Sequence, residues 1–264
     1  MLKDITFGQY FPKDSIIHKL DPRFKIVITG IYIAILFSTD TFKGLAIGTI
    51  FALIVWFLTK IPLKLMWKSL KPIMPIIVVT AILNLFMIDG DKTLWSWGFL
   101  KITNDGLHES AFNLIRIVML IIGTSILTYT TSPVSLTDGI ERLFSPLKKF
   151  NVPVHELAMM MTIALRFIPL LIDETDKIIS AQKSRGASFE VGSIKDRLSA
   201  IIPVLIPLFI SAFRRSEELA LAMECRCYHG GEGRTRLKQL KATSRDYIAL
   251  CVSTSVLIVN IAIF

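Results

Sequence analysis

The chain has 264 residues, of which 52% are hydrophobic, and its mean hydropathy is +0.57. This composition excludes an ordinary soluble domain and is typical of an integral membrane protein. The net charge is +9, but in a membrane protein such an excess usually marks cytoplasmic loops, so we expect no nucleic-acid partner.

Five uncharged runs predict transmembrane helices in a lipid bilayer. These runs are residues 26–39, 44–59, 72–88, 117–137 and 247–264. The last three approach the roughly 20 residues that a helix needs to cross the hydrocarbon core. The first two are short, and they can span if the flanking Lys25, Lys43 and Lys60 extend their ammonium groups to the interface.

The distribution of lysine and arginine among the loops predicts the orientation. The N-terminal segment and the second loop are rich in basic residues, whereas the first and third loops hold few, and those of the third loop lie beside aspartates. Basic loops stay on the cytoplasmic side. We therefore expect a multi-pass protein of the cell membrane with a cytoplasmic N-terminus and an outside C-terminus.

A region of about 110 residues separates the fourth predicted span from the fifth. Proline and glycine turn signals divide it into three helices at roughly 134–150, 154–186 and 193–228. Crossing the membrane would export clusters of basic residues, so we interpret these helices as lying at or under the cytoplasmic interface. The turns between and after them include 186–192 and 230–233.

The sequence thus predicts an all-α integral membrane protein with about five transmembrane helices and a cytoplasmic or interfacial domain of three coupling helices. Its predicted parts are a four-span N-terminal membrane region at 1–132, the coupling-helix domain at 133–242 and a C-terminal transmembrane helix at 243–264.

The second and third helices of the coupling domain share a repeated pattern. FIPLLI at 167–172 matches LIPLFI at 205–210, and each helix ends on an arginine four residues after an alanine, at Arg185 and Arg226. A guanidinium in a last helical turn interacts with the negative helix end, while its planar fork stays available for a carboxylate. One such arginine is explained by its helix end, but two at matched positions favour docking to a partner.

Prolines inside these two helices predict bends, because each removes a backbone donor and crowds the preceding turn. They are Pro169, Pro203 and Pro207.

Three separated segments resemble the transmembrane T component of energy-coupling factor vitamin transporters. They are HKLDPRFK at 18–25, ALRFIPLLIDETDKIISAQKSRGAS at 164–188 and IPLFISAFRRSEELALAMECRCYHGGEGRT at 206–235, and they occur in the expected order. The resemblance implies a scaffold that joins two cytosolic ABC ATPases to one or several membrane-embedded, substrate-binding S components. It implies that the chain couples ATP hydrolysis to movement of the S component.

In that family two arginine motifs, usually flanked by small residues, end two coupling helices and insert into grooves on the ATPases. The matching residues are Ser184, Arg185, Gly186, Cys225, Arg226 and Cys227. The second motif departs from the pattern, since cysteines stand where alanine and glycine are expected.

Cys225, Cys227 and His229 suggest a zinc site as an alternative for the second motif. Cys-x-Cys lacks the usual ligand spacing, and no second Cys/His pair lies nearby in the sequence. We therefore expect no metal site.

A catalytic role is not indicated by the sequence. It contains no G-x-x-x-x-G-K-[ST] phosphate loop, so we expect a non-enzymatic subunit that binds no cofactor, with ATP and Mg²⁺ used by the partner ATPases.

Two other transport functions remain as alternatives, a conventional ABC permease and an autonomous secondary transporter. The first needs a polar substrate path, and the second needs ionisable residues near the bilayer midplane. The predicted spans show neither, and Arg116 lies only beside the outer end of one span.

Overall fold

A computed structural model describes residues 10–88, 93–97, 100–187, 194–230 and 240–263. The elements in chain order are α1 (Pro22–Phe37), α2 (Phe42–Thr59), α3 (Leu63–Leu70), α4 (Met74–Met87), β1 (Thr93–Trp97), β2 (Leu100–Thr103), α5 (Asn104–Thr130), α6 (Pro133–Phe144), a 3-10 turn (Ser145–Phe150), α7 (Val154–Ser184), α8 (Ile194–Glu224) and α9 (Ser244–Ile263). The predicted all-α class is confirmed. A short antiparallel hairpin, β1 with β2, is the one addition within the described ranges.

The chain forms two compact units. The bundle unit contains the described residues up to Gly139 together with those from Leu240 onward, and therefore α1 to α5, the hairpin and α9. The helix-pair unit contains the described residues from Ile140 to Gly230, and therefore α7 and α8.

Among the described residues, five helices are long and apolar enough to cross a membrane, namely α2, α5, α7, the Ser199–Glu224 part of α8, and α9. The bent pair of α3 and α4, with an angle of 62°, can form a sixth span. The chain is therefore a multi-pass membrane protein, as predicted.

These five helices do not all coincide with the five predicted spans. α1 has only 16 residues and measures about 24 Å, which is shorter than the roughly 30 Å hydrocarbon core. α7 and α8 meet the length and hydropathy of a span because each contains an apolar stretch of 18 residues with at most two charged side chains. Their interfacial position stays a prediction.

α5 begins 13 residues before the predicted uncharged run. The Thr103 hydroxyl accepts a hydrogen bond from the Gly106 amide at 3.0 Å and donates to the Ile88 carbonyl at 2.8 Å. This N-cap starts the helix in polar sequence, which a search for uncharged runs does not detect.

α5 is the central helix of the bundle unit, where it packs against α1, α2, α3 and α4. Gly123 lets the Tyr32 ring of α1 pack directly against the α5 backbone, since a Cβ there would overlap this ring. The Tyr32 hydroxyl donates to the Met119 carbonyl at 2.9 Å, so the ring is buried with its polar atom satisfied.

α9 packs along α1 and completes the bundle unit. The buried Asn260 amide donates to the Ile35 carbonyl at 2.9 Å. This carbonyl lies in the last turn of α1, where backbone acceptors lack helical donors, so Asn260 caps α1 from the side.

Candidate functional site

α7 and α8 pack against each other in the helix-pair unit. Arg215 forms an ion pair with Glu174 at 3.0 Å, and the Gln182 side chain donates to the Pro203 carbonyl at 3.4 Å. A residue later in α7 therefore contacts a residue earlier in α8. The two helices run in opposite directions.

The structure places the predicted prolines inside the two helices, Pro169 in α7 and Pro203 and Pro207 in α8. Pro207 has no amide hydrogen, so the carbonyl of Pro203, four residues earlier, has no helical donor. Gln182 of α7 supplies a donor to this carbonyl. The proline therefore creates the acceptor that helps to join the two helices, while the bends themselves remain predictions.

The end of α7 is a Schellman turn, a helix end with two characteristic backbone hydrogen bonds. The Gly186 amide donates to the Lys183 carbonyl, and the Ala187 amide donates to the Gln182 carbonyl, both at 3.0 Å. Gly186 has φ +90°, the left-handed conformation that this turn requires. Arg185 is the C-cap residue immediately before it.

The end of α8 has the same construction. The Cys227 amide donates to the Glu224 carbonyl at 2.9 Å, and the Tyr228 amide donates to the Met223 carbonyl at 3.1 Å. Cys227 has φ 53° and occupies the left-handed position. Arg226 immediately precedes it, so the two arginines lie at equivalent positions of equivalent turns.

The backbone thus explains how the second motif tolerates its unusual residues. Cys227 takes the conformation of Gly186 in the first motif, although a side chain in this region costs about 1–2 kcal/mol. Cys225 lies in the final turn of α8 and needs no special conformation.

All six predicted docking residues are exposed, including both guanidinium groups. In the part of the chain that the structure describes, neither Arg185 nor Arg226 belongs to an ion pair. Each is a cation beside a negative helix end, with donors that remain available to an external carboxylate.

The two arginines lie in opposite directions from the helix crossing, the point where Glu174 of α7 pairs with Arg215 of α8. Eleven residues separate Glu174 from Arg185 along α7, and eleven separate Arg215 from Arg226 along α8. At 1.5 Å per residue each arginine lies about 16 Å beyond the ion pair. Because the helices are antiparallel, the site consists of two separated ends and not of one cluster.

The residues of the alternative zinc site lie in and just after the last turn of α8. Within the described ranges, Cys225, Cys227 and His229 do not converge with each other or with acidic residues into a group of three potential ligands.

The bundle unit contains a polar network that was not predicted from the sequence. We call it the polar node, and its residues are Asp21, Arg23, Thr243 and Asp246. Asp21 caps α1 by accepting from the Arg23 amide at 2.9 Å and pairs with the Arg23 guanidinium at 2.7 Å. Its own amide donates to Asp246 of α9 at 2.7 Å, and Asp246 also accepts from the amide and hydroxyl of Thr243. The node therefore fixes the starts of α1 and α9 to each other.

Local signals for this node were present in the sequence. Asp-Pro-Arg at 21–23 is an N-cap followed by proline, and Thr243 with Asp246 has the spacing of a capping box. Each signal predicts a helix start, but neither indicates that the two starts meet.

The ammonium group of Lys25 is buried, although we expected it to extend away from the helices. It is 5% exposed, and its ammonium group donates to the carbonyls of His18 at 3.1 Å and Thr130 at 2.9 Å. The end of α5 and the segment before α1 supply these acceptors, and only the tertiary structure brings them together.

Comparisons with known proteins agree with the resemblance drawn from the motifs. A family model described as cobalt transport protein, CbiQ, matches residues 13–237. The energy-coupling factor transporter transmembrane protein EcfT of Clostridium kluyveri is 56% identical over 253 residues, which cover 95% of this chain and 94% of that protein. EcfT of Ruminiclostridium cellulolyticum is 56% identical over 94% of this chain and 92% of its own length.

A more distant relative extends the same similarity. EcfT of Bacillus subtilis is 45% identical over 246 residues, which cover 93% of each chain. Since these matches include both arginine-ended helices and the membrane helices around them, the chain belongs to the EcfT family, the transmembrane components of energy-coupling factor transporters.

Proposed function

We propose that this chain is the scaffold through which two cytosolic ABC ATPases drive a membrane-embedded S component in the uptake of a vitamin or similar micronutrient. The observation that carries the proposal is the pair of matched, exposed arginine turns at the ends of α7 and α8. The chain itself binds no cofactor, and ATP with Mg²⁺ is used by the partner ATPases.

Docking of an ATPase at each turn follows from the chemistry of the arginines. A guanidinium can bind a carboxylate through two parallel hydrogen bonds, a geometry that an ammonium group cannot reproduce. Arg185 and Arg226 present such a fork at a helix tip that is narrow enough to enter a surface groove. Ser184, Gly186, Cys225 and Cys227 are small neighbours that let the groove walls approach.

The two helix ends point in opposite directions, and this supports the binding of one ATPase at each end. Each arginine lies about 16 Å from the Glu174–Arg215 pair along its own helix, so the tips are too far apart for one shared groove. Closure of an ATPase pair would therefore move the two tips relative to each other. The ion pair and the Gln182 contact would pass this motion through the crossing.

An S component fits the apolar surface of α8. Between residues 201 and 213 of this helix, seven large apolar side chains are exposed, namely Ile201, Ile202, Leu205, Ile206, Phe209, Ile210 and Phe213. Their spacing follows the helical repeat and forms a stripe that lipid or another membrane helix can cover. Exposed Met160 and Met161 on α7 add adaptable thioethers, which suit a surface that accepts more than one S component.

Arginine substitution tests the docking role. R185A and R226A should each weaken ATPase co-purification and vitamin uptake, because a buried partner carboxylate would be left unpaired at a cost of about 2–5 kcal/mol. The double variant should lose both activities, and Arg→Lys should rescue poorly. Co-purified ATPase and uptake are measured in the full complex.

R166A and R214A are matched controls, since both arginines are exposed in the interiors of the same two helices. They should retain assembly and uptake. Wild-type assembly and uptake in the double variant R185A/R226A would refute the docking role.

A further inference from the structure

An apolar groove runs along the bundle unit between α1, α2, α5 and α9. Its volume is about 590 Å³, within the range of pockets that bury a small molecule. Its lining is almost entirely apolar and combines the small Ala249 with larger side chains such as Ile54 and Val252. In a membrane, the lining of such an open apolar groove gains dispersion contacts when an apolar molecule covers it.

The length of the groove corresponds to one leaflet of a bilayer. Its α9 wall extends from Arg245 to Val256, and its α2 wall extends from Ile47 to Leu58. Each wall covers twelve residues, with about 16 Å between the first and the last, which is half of the roughly 30 Å hydrocarbon core. The groove therefore starts at one interface and ends near the midplane.

The groove is cationic at its interfacial end. Arg245 and Lys25 line this end, near the start of α9 and the end of α5. Lys25 uses two of its three ammonium donors on the carbonyls of His18 and Thr130. Arg245 is exposed, and it forms no ion pair within the described part of the chain.

The deeper end of the groove is apolar. Ile47 and Val256 line it, and the Tyr32 hydroxyl there is directed to the Met119 carbonyl. A molecule that matches the whole groove thus has a long apolar part and one anionic group at its interfacial end.

We propose that the groove binds one anionic phospholipid from the leaflet at the N-terminal end of α9. One acyl chain lies along the walls of α2 and α9, and the phosphate pairs with the Arg245 guanidinium and the remaining donor of Lys25. An acyl chain fills the apolar length, while charge-assisted hydrogen bonds at the interface select the anionic headgroup.

Lipid titration of the detergent-solubilised full-length chain, followed by native mass spectrometry, tests the headgroup part. Palmitoyl-oleoyl phosphatidylglycerol should bind more tightly than phosphatidylcholine with the same chains. R245Q should weaken phosphatidylglycerol binding about tenfold and change phosphatidylcholine binding less than twofold. Lys241, four residues earlier and also exposed, lies outside the groove, so K241Q should leave both affinities unchanged.

A second pair of variants tests the acyl-chain part. A249F fills the groove and should reduce binding of both lipids, whereas A262F, on the same helix outside the groove, should not. Size-exclusion chromatography confirms that each variant is folded. Equal effects of R245Q and K241Q, or of A249F and A262F, would overturn the proposal.

Photo-cross-linking in the assembled transporter distinguishes a lipid from a protein occupant. A photoreactive amino acid at Val252, inside the groove, should give an adduct with phosphatidylglycerol. Cross-linking to a partner polypeptide instead would make the groove a protein-docking surface and would refute the lipid assignment.

Discussion

At the scale of single residues, Cys227 shows how the conformation of one position decides what a motif tolerates. Its φ of 53° lies in the region that glycine occupies without steric cost, and its counterpart in the first motif is Gly186. The cysteine therefore carries strain that Gly186 does not.

C227G should stabilise the chain slightly, by up to about 1 kcal/mol. Relief of the left-handed strain exceeds the added entropy of the unfolded glycine. C225G should destabilise by about 1 kcal/mol, because Cys225 lies in the helical last turn. Thermal unfolding in detergent measures both changes, and a destabilising C227G would contradict the strain argument.

His18 is a second residue with a testable environment. Its Nε2 lies 3.0 Å from the Phe11 carbonyl, which can only accept, so Nε2 carries the proton. Nδ1 then accepts from the Ser15 hydroxyl at 2.6 Å. Burial lowers the pKa of the imidazole below 6.5, against a raising effect of the Phe11 hydrogen bond, and the positive charge of Lys25 lowers it further.

Stability should therefore decrease as the pH falls below about 6.5, because the unfolded chain then binds a proton that the folded chain resists. The decrease should stop at the lower pKa of the folded state. H18Q should remove this part of the pH dependence, since its amide does not titrate. Unfolding temperatures of the wild type and H18Q across this pH window check the prediction, and parallel profiles would contradict it.

At the scale of elements, Pro207 both weakens α8 and helps to attach it to α7. The Pro203 carbonyl that it leaves without a helical donor accepts from Gln182 at 3.4 Å. α8 therefore lacks one backbone hydrogen bond of a regular helix, and the free carbonyl binds a side chain of α7 instead.

P207A should raise the stability of α8 by about 1–3 kcal/mol, because alanine restores the missing amide donor and removes the ring clash. If a bend of α8 at Pro207 helps to transmit the motion of the ATPases, P207A should also lower vitamin uptake at normal ATPase co-purification. P153A, at the N-cap of α7, is the control and should leave uptake unchanged. Unaltered uptake in P207A would exclude a transmitting role for the bend.

At the scale of the whole molecule, the basic loops predict the orientation of the chain in the membrane. Single cysteines at Lys241 and at Glu109 in a cysteine-free background test it, since both positions are exposed. The Glu109 position should react with an impermeant maleimide in intact cells, and the Lys241 position only after permeabilisation. The reverse pattern would invert the proposed topology.

Most of the membrane architecture follows from the sequence by itself. Uncharged runs predicted α2, α5 and α9, because the bilayer requires about 20 apolar residues whatever they pack against. The repeated Ala-x-x-x-Arg endings likewise predicted two equivalent helix ends, because a Schellman turn is a local structure made by neighbouring residues.

Only the tertiary structure decided the features that join distant segments. Gln182 and Pro203 are 21 residues apart, and Asp21 and Asp246 are 225 apart, so no local pattern relates either pair. The sequence also predicted an outwardly extended Lys25, since it could not indicate that two carbonyls would compensate the burial of its charge. The sequence determines which residues need partners, whereas the packing of helices decides which partners they find.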